Sequence, residues 1–136
     1  MRQLVFVLSA GLVLGAGAMA VGAPEITSGK WLAEDLKGGG VVDIAQTYFE
    51  IGADGRISGS GGCNRMTGQA EIDGDQIKIG PLASTRMACP DALMNQEQTF
   101  FQVLEEAVAF RIDTDQNKLF LIGAKGEIIA RFSLMD

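Results

Sequence analysis

The chain has 136 residues, of which 47% are hydrophobic, and a formal net charge of −6 from 17 acidic and 11 basic side chains. A chain of this length forms one domain with a modest core, and its negative charge disfavours nucleic acid and anionic lipid as partners. The absence of histidine excludes Ser-His-Asp and Cys-His catalytic arrangements and most zinc and copper sites.

The N-terminal stretch has the pattern of a cleaved export signal. A basic start is followed by an apolar run over residues 4–19, and small residues precede two candidate cleavage points, after Ala20 and after Ala23. The run is shorter than the ~20 residues that span a membrane comfortably, although a retained anchor is the alternative. We therefore predict a signal peptide over residues 1–23 and a mature domain over 24–136 with no integral membrane anchor, periplasmic or secreted.

The only two cysteines, Cys63 and Cys89, predict one disulfide. An exported chain folds in an oxidising compartment, and no third cysteine competes for either partner. Closing the loop between them stabilises a small domain by about 3 to 4 kcal/mol in the chain-entropy account. Two free buried thiols are the alternative, because the sequence does not establish that the side chains meet.

Short β-type segments separated by turn residues dominate the mature region. Turns containing Asp-Gly at residues 52–55 and 73–75 join consecutive strands as hairpins, and the segments after residue 108 form a three-stranded meander. One helix is predicted over Asp91–Glu106, because Pro90 suits a first turn and apolar residues recur at helical spacing. The expected fold is α+β and mostly β: an antiparallel curled sheet or partly closed barrel of about seven strands with one inserted helix.

The glycine-rich stretch over residues 59–68 does not match a nucleotide-binding loop. It lacks the third glycine of a dinucleotide fingerprint, no Lys-Ser/Thr pair follows it, and it leads into a strand where both motifs need a helix. Its glycines are typical of backbone that bulges or passes close to another strand. Asn64 within it is suited to a left-handed turn. We expect no cofactor.

Carboxylates are the remaining candidates for chemistry. The run from Asp113 to Asn117 is similar to the opening of a calcium loop, but Lys118 stands where that loop requires glycine, so we predict a polar turn and no metal. Nothing in the carboxylate spacing singles out a glycosidase-type pair, and most carboxylates are expected on a solvated face. The candidates are Glu50, Glu71, Asp73, Asp75, Glu97, Glu105 and Glu106. We predict no catalytic residues and no enzyme activity.

Two motifs and a helix, taken together, resemble a known family. The residues that carry the resemblance are Trp31, Gly59, Gly62, Asn64, Gly68, Thr85, Met87, Ala88 and Glu97, with Cys63 and Cys89 among them. They resemble the META domain family, which includes HslJ-like heat-shock proteins of bacteria, over nearly all of the mature chain. One departure is Ala70, because the family usually has an aromatic residue at that place.

The resemblance implies a small β-rich fold with one helix, an envelope location, a link to the stress response, and no catalytic residues. We therefore predict an exported, monomeric binding or chaperone-like module that presents an apolar groove to a peptide, a lipid or an envelope protein. A structural stress-maintenance protein is the first alternative. A carboxylate-dependent hydrolase is the least favoured one. Trp31 is interpreted as a core residue, with ligand stacking as its alternative role.

Overall fold

The structure is a computed structural model that describes residues 25–135. These residues form ten strands and one α-helix. The strands are β1 Lys30–Leu36, β2 Gly39–Gly40, β3 Tyr48–Ile51, β4 Arg56–Ser60, β5 Arg65–Asp73, β6 Gln76–Ile79, β7 Ala83–Ser84, β8 Ala109–Asp113, β9 Lys118–Ile122 and β10 Ile128–Leu134, and the helix α1 is Asp91–Glu106. The predicted signal peptide over residues 1–23 lies outside the described residues. The mostly β fold with one inserted helix is confirmed.

Eight of these strands close into an antiparallel ring. They follow one another in the order β1, β3, β4, β5, β6, β8, β9, β10, and β10 pairs back onto β1. The junction between β6 and β8 is the weakest, since only Gln76 and Ala109 stand in register there. The strand count exceeds the predicted seven chiefly because β2 and β7 are two-residue pairings, too short to show a sequence pattern.

Alternate side chains of the strands fill the ring. On β6 the buried Ile77 and Ile79 alternate with exposed neighbours, as expected for a sheet with one dry and one wet face. At the centre, the rings of Phe49 and Phe132 meet edge to face, with centroids 5.0 Å apart. Phe100 of α1 reaches the same place, 6.3 Å from Phe132, so the helix packs into the ring.

The helix covers one end of the ring, which we call the closed end. The β1–β2, β4–β5 and β6–β7 connections meet α1 there: Lys37 forms an ion pair of 3.0 Å with Glu106, and the Leu82 N–H donates to Glu105 at 3.3 Å. The hairpins β3–β4, β5–β6 and β8–β9 surround the opposite end, which we call the open end.

Trp31 closes part of the core near the open end. Its side chain is fully buried, and its indole N–H donates to the carbonyl oxygen of Ile26 at 2.8 Å. A buried tryptophan needs such a partner for its single donor. Because no surface of the indole of Trp31 is exposed, Trp31 is a core residue, and the ligand-stacking role is wrong.

One carboxylate links three strands across the β10–β1 closure. Glu34 of β1 accepts hydrogen bonds from Lys118 Nζ at 2.6 Å and from Arg131 Nε at 3.1 Å. Burial acts to raise the pKa of Glu34, but the hydrogen bonds from Lys118, Arg131 and Ser133 and the positive charge of Lys118 together outweigh it, so the pKa lies below its ordinary value. The ionised form of Glu34 therefore stabilises the folded state.

Replacing Glu34 with glutamine is expected to destabilise the protein near neutral pH, and less in acid. Because the folded-state pKa is depressed, the stabilisation is complete above the ordinary value of 4.5 and is lost as pH falls through the folded-state pKa. The cluster is partly exposed, so we expect a loss of about 0.5 to 1 kcal/mol at neutral pH. Urea unfolding of Glu34→Gln near neutral pH and near pH ~3 measures it, with Glu127→Gln as control; equal losses at both pH values would contradict it.

Candidate functional site

The motif residues gather at the closed end, where β4 passes into β5 beneath α1. Asn64 and Glu97 are both buried there, with 3% and 5% of their surfaces exposed. The backbone N–H of Asn64 donates to Glu97 Oε1 at 2.6 Å, and its side-chain Nδ2 donates to Oε2 at 2.7 Å. The N–H of Cys63 adds a bond of 3.3 Å to Oε1. Both oxygens of the buried carboxylate thus have donors, as a buried polar group requires.

The other side of the Asn64 amide binds the segment that follows β7. Asn64 Oδ1 accepts hydrogen bonds from the Thr85 hydroxyl at 2.9 Å and from the Met87 N–H at 2.7 Å. These bonds orient the amide, because its oxygen must face the donors of that segment while its nitrogen faces Glu97. One asparagine therefore ties together the β4–β5 loop, the segment before α1, and α1 itself.

A disulfide joins the same two segments. Cys63 and Cys89 are bonded, with Cα atoms 6.2 Å apart and a sequence separation of 26. The predicted pairing is therefore present in the structure, and the alternative of two free thiols is wrong. We call the disulfide together with Asn64, Thr85, Met87 and Glu97 the closed-end cluster.

The glycines of the motif make this arrangement sterically possible. A Cβ on Gly59 would collide with the backbone of β3, and one on Gly61 would collide with the side chain of Glu97. Gly62 has a φ of +110°, a conformation that residues with a Cβ rarely adopt. Gly62, and not Asn64, is therefore the left-handed residue of the loop, and the expectation for Asn64 is wrong; its side chain is used for hydrogen bonding instead.

Besides Gly59 and Gly62, three motif residues lie outside the closed-end cluster. Trp31 is in the core near the open end, and Ala88 is exposed. Gly68 of β5 lies against the β6–β7 connection, where a Cβ would be 2.9 Å from Leu82 Cδ2. Met87 is held by its backbone, but 55% of its surface is exposed. The motif residues thus meet several separate packing requirements and do not form a single binding site.

The contacts of the closed-end cluster are those of a structural cluster that holds the helix and the loops together. Glu97 is buried among donors, and it is the exception among the candidate carboxylates, most of which were expected on a solvated face. Glu50 is half-buried and the other five are exposed. Within residues 25–135 no group of three His, Cys, Asp or Glu side chains is placed to hold a metal ion. The cluster brings no second carboxylate against Glu97 that would form a glycosidase-type pair.

The open end contains a more suitable binding site, a pocket of about 640 Å³. Its walls come from the segment before β1, the β3–β4 hairpin, the end of β5 and the middle of β8. The apolar residues that line it are Ile26, Ala53, Ala70, Ile72, Phe110 and Ile112, and its charged ones are Glu25 and Asp54. We call this the open-end pocket. Its mixture of apolar walls and a few polar groups is typical of ligand sites.

The open-end pocket exists because β8 is longer than its neighbour. The Phe110 N–H donates to the Asp75 carbonyl at 2.9 Å, and the β5–β6 hairpin turns back at Gly74. Beyond that point β8 continues alone on this side within the described chain. The inward side chains of Phe110 and Ile112 are therefore only half-buried, and they form one wall of the pocket.

Sequence reasoning named none of these residues as a site, although one signal pointed to it. Ala70 is the position at which the family usually has an aromatic residue, and it lines the open-end pocket with 6% of its surface exposed. An aromatic side chain there would occupy part of the pocket volume. The larger depression of about 810 Å³ on the outer wall is a weaker candidate, because Glu34, Lys118 and Arg131 within it already bind one another.

The comparisons with known proteins identify the family and the fold. The family model of the META domain matches residues 24–136. No curated protein sequence matches the chain. Within residues 25–135 no helix is long and apolar enough to cross a membrane.

Three solved structures are similar to the chain. A protein studied by NMR is 26% identical, with 80% of this chain and 91% of that one covered and a TM-score of 0.60. A DUF4847 family protein from Bacteroides vulgatus is 18% identical, with 82% and 96% covered and a TM-score of 0.60. A protein from Burkholderia xenovorans is 18% identical, with 90% and 99% covered and a TM-score of 0.65. The two at 18% identity show likeness of fold alone.

Glu97→Gln is expected to destabilise the protein by about 2 to 4 kcal/mol. In either orientation, the new amide nitrogen would face a donor, either Nδ2 of Asn64 or the two backbone N–H groups. Urea unfolding measures the loss. Glu105→Gln, an exposed change on the same helix, should stay within about 0.5 kcal/mol; equal effects of the two changes would show that the buried contacts of Glu97 do not matter.

The double change Cys63→Ser with Cys89→Ser is expected to lower the free energy of unfolding by about 3 to 4 kcal/mol, because the unfolded chain regains the freedom of the open loop. Changing both cysteines avoids a single reactive thiol. Thermal unfolding with and without a reducing agent measures the effect. The reductant should lower the melting temperature of the unchanged protein and leave that of the double variant as it is. If the reductant leaves the melting temperature of the unchanged protein as it was, the disulfide is not present.

Proposed function

Because the chain belongs to the META domain family, we propose that it is an exported, non-catalytic binding module that holds an apolar group in the open-end pocket, in the periplasm or outside the cell. The observation that carries the proposal is the pocket itself, which is open to solvent and has apolar side chains in each of its walls. The disulfide supports the export part, since such bonds persist in oxidising compartments and are rare in reducing ones.

The size and lining of the open-end pocket favour binding. Its volume of about 640 Å³ falls among those of pockets that bury small ligands or side chains. Ile72 on its rim is 38% exposed, and Phe110 and Ile112 are half-buried. Covering this apolar surface with a ligand removes it from water, which is a favourable contribution of about 25 cal/mol for each Å².

The position of the closed-end cluster also favours a binding role for the open end. The disulfide and the Asn64–Glu97 contacts lie at the closed end, away from the residues that line the open-end pocket. A site on a scaffold that is already rigid loses little conformational entropy when it binds. A chaperone-like contribution to stress tolerance would follow from holding apolar segments, and it is part of the proposal.

The two charged residues of the pocket do not favour a hydrolase. Glu25 and Asp54 are both exposed, whereas the general acid of a carboxylate pair is held apart from water. Asp54 Oδ1 is also engaged, because it accepts a hydrogen bond of 2.9 Å from the Arg56 N–H and so shapes the β3–β4 turn. The same two side chains are better suited to selecting a ligand by charge.

A neutral apolar dye such as N-phenyl-naphthylamine is expected to bind the protein saturably and to fluoresce more strongly when bound. Ala70→Phe should weaken the binding by about tenfold or more, because its ring fills the pocket. Ile112→Asn, which puts a polar group in the wall, should weaken it as well. Fluorescence titration measures both.

The matched control is Ile128→Ser, which removes an isoleucine that is 53% exposed at the closed end and should leave dye binding unchanged. Urea unfolding of each variant establishes that it is folded. Dye binding that is absent from the unchanged protein, or equal in all folded variants, would overturn the proposed function.

A further inference from the structure

We infer that the occupant of the open-end pocket is an extended peptide segment that carries apolar side chains and at least one basic side chain, and that it pairs with the edge of β8. This inference rests on the proposed function and goes further, since it names the chemistry of the ligand and the direction in which it lies. Three independent features of the open end support it.

The first feature is the edge of β8. The β6–β8 ladder ends where the Phe110 N–H meets the Asp75 carbonyl. Within residues 25–135 no strand pairs with residues 111–113 on the β6 side of β8, although β9 pairs with them on the other side. Backbone groups alternate between the two sides of an antiparallel strand. The N–H and C=O of Ile112 therefore point to the same side as those of Phe110, beyond the hairpin. An edge of this kind is a template for an added strand.

The second feature is the spacing of the pocket wall. Phe110 and Ile112 are two residues apart on β8 and line the same pocket, and Ile72 faces them from the end of β5. Alternate side chains of an extended peptide also project on one face with a period of two. A peptide added to β8 would therefore direct alternate side chains into the apolar pocket while its backbone pairs with Ile112. A single acyl chain would fill the pocket and leave those backbone groups without partners.

The third feature is the charge of the rim. The charged side chains that line the pocket are Glu25 and Asp54, and both are acidic. The adjoining depression adds Asp75 and one cation, Arg111, whose guanidinium lies 4.8 Å from the centroid of the Phe120 ring on the outer wall. The whole chain carries −6, which attracts cations at longer range. Charge complementarity therefore selects a basic partner.

The test compares three peptides that share alternate valines: acetyl-Val-Lys-Val-Arg-Val-amide, its Glu/Asp counterpart and its Ser/Thr counterpart. Calorimetric titration at low salt should show the basic peptide binding about tenfold tighter than the acidic one, with the neutral one between them. Methylating the backbone nitrogens of the basic peptide should abolish its binding, because they can no longer donate to β8. Amide hydrogen exchange at Ile112 should slow when the unmethylated peptide binds.

The charge preference is tested in the protein with Glu25→Gln and Asp54→Asn together. An asparagine at 54 can still accept the Arg56 N–H, so the turn is kept. The preference for the basic over the acidic peptide should fall about three- to tenfold, while the affinity for the neutral peptide stays the same. The matched control, Glu105→Gln with Glu106→Gln, removes the same charge at the closed end and should leave the preference unchanged.

The outcomes separate this inference from the proposed function. If the dye binds but the three peptides bind equally, or the control variant loses the preference as much as the rim variant, the basic specificity is overturned. If the dye and dodecyltrimethylammonium bind but no peptide does, the ligand is an amphiphile and the strand pairing is overturned. If the methylated peptide binds as well as its parent, pairing with β8 is overturned. If nothing binds, the proposed function fails with it.

Discussion

The structure depends on one buried carboxylate. Glu97 is the only acidic side chain buried among the described residues of α1, and a carboxyl group in a protein interior is tolerated when its oxygens are provided with donors. Asn64 and the loop around it provide these donors. The side-chain oxygen of the same asparagine accepts hydrogen bonds from the segment that leads into the helix. The contact thus determines both where α1 crosses the ring and how the chain reaches it.

The glycines of the motif follow from that contact. A glutamate of the helix can reach the loop backbone only where no side chain is in the way, and Gly61 meets that condition. Gly62 supplies the positive φ of the loop, and Gly59 lets β4 run close to β3. The disulfide then adds a covalent tie between two segments that Asn64 already joins. The glycine-rich motif is therefore in this protein a set of steric requirements for attaching the helix to the ring of strands.

Sequence reasoning predicted the fold class, the helix over Asp91–Glu106 and the cysteine pair, because each depends on local pattern or on simple elimination. It named Glu97 as a motif residue but did not predict its burial, since helical periodicity identifies a buried face from its apolar residues and a polar residue on that face carries no such signal. It also failed for the open-end pocket. The overhang of β8 beyond the β5–β6 hairpin depends on the register between distant strands, which turn chemistry alone does not determine. Ala70 was recognised as unusual, but its meaning required knowing which walls it faces.

The hydrogen bond between the indole of Trp31 and the carbonyl of Ile26 places the molecule's single tryptophan directly behind a wall of the open-end pocket. Indole emission changes in colour and intensity with the polarity and hydrogen bonding around it. The protein therefore has an intrinsic optical reporter next to its open end, and a shift in that emission would register events at this end without any attached label.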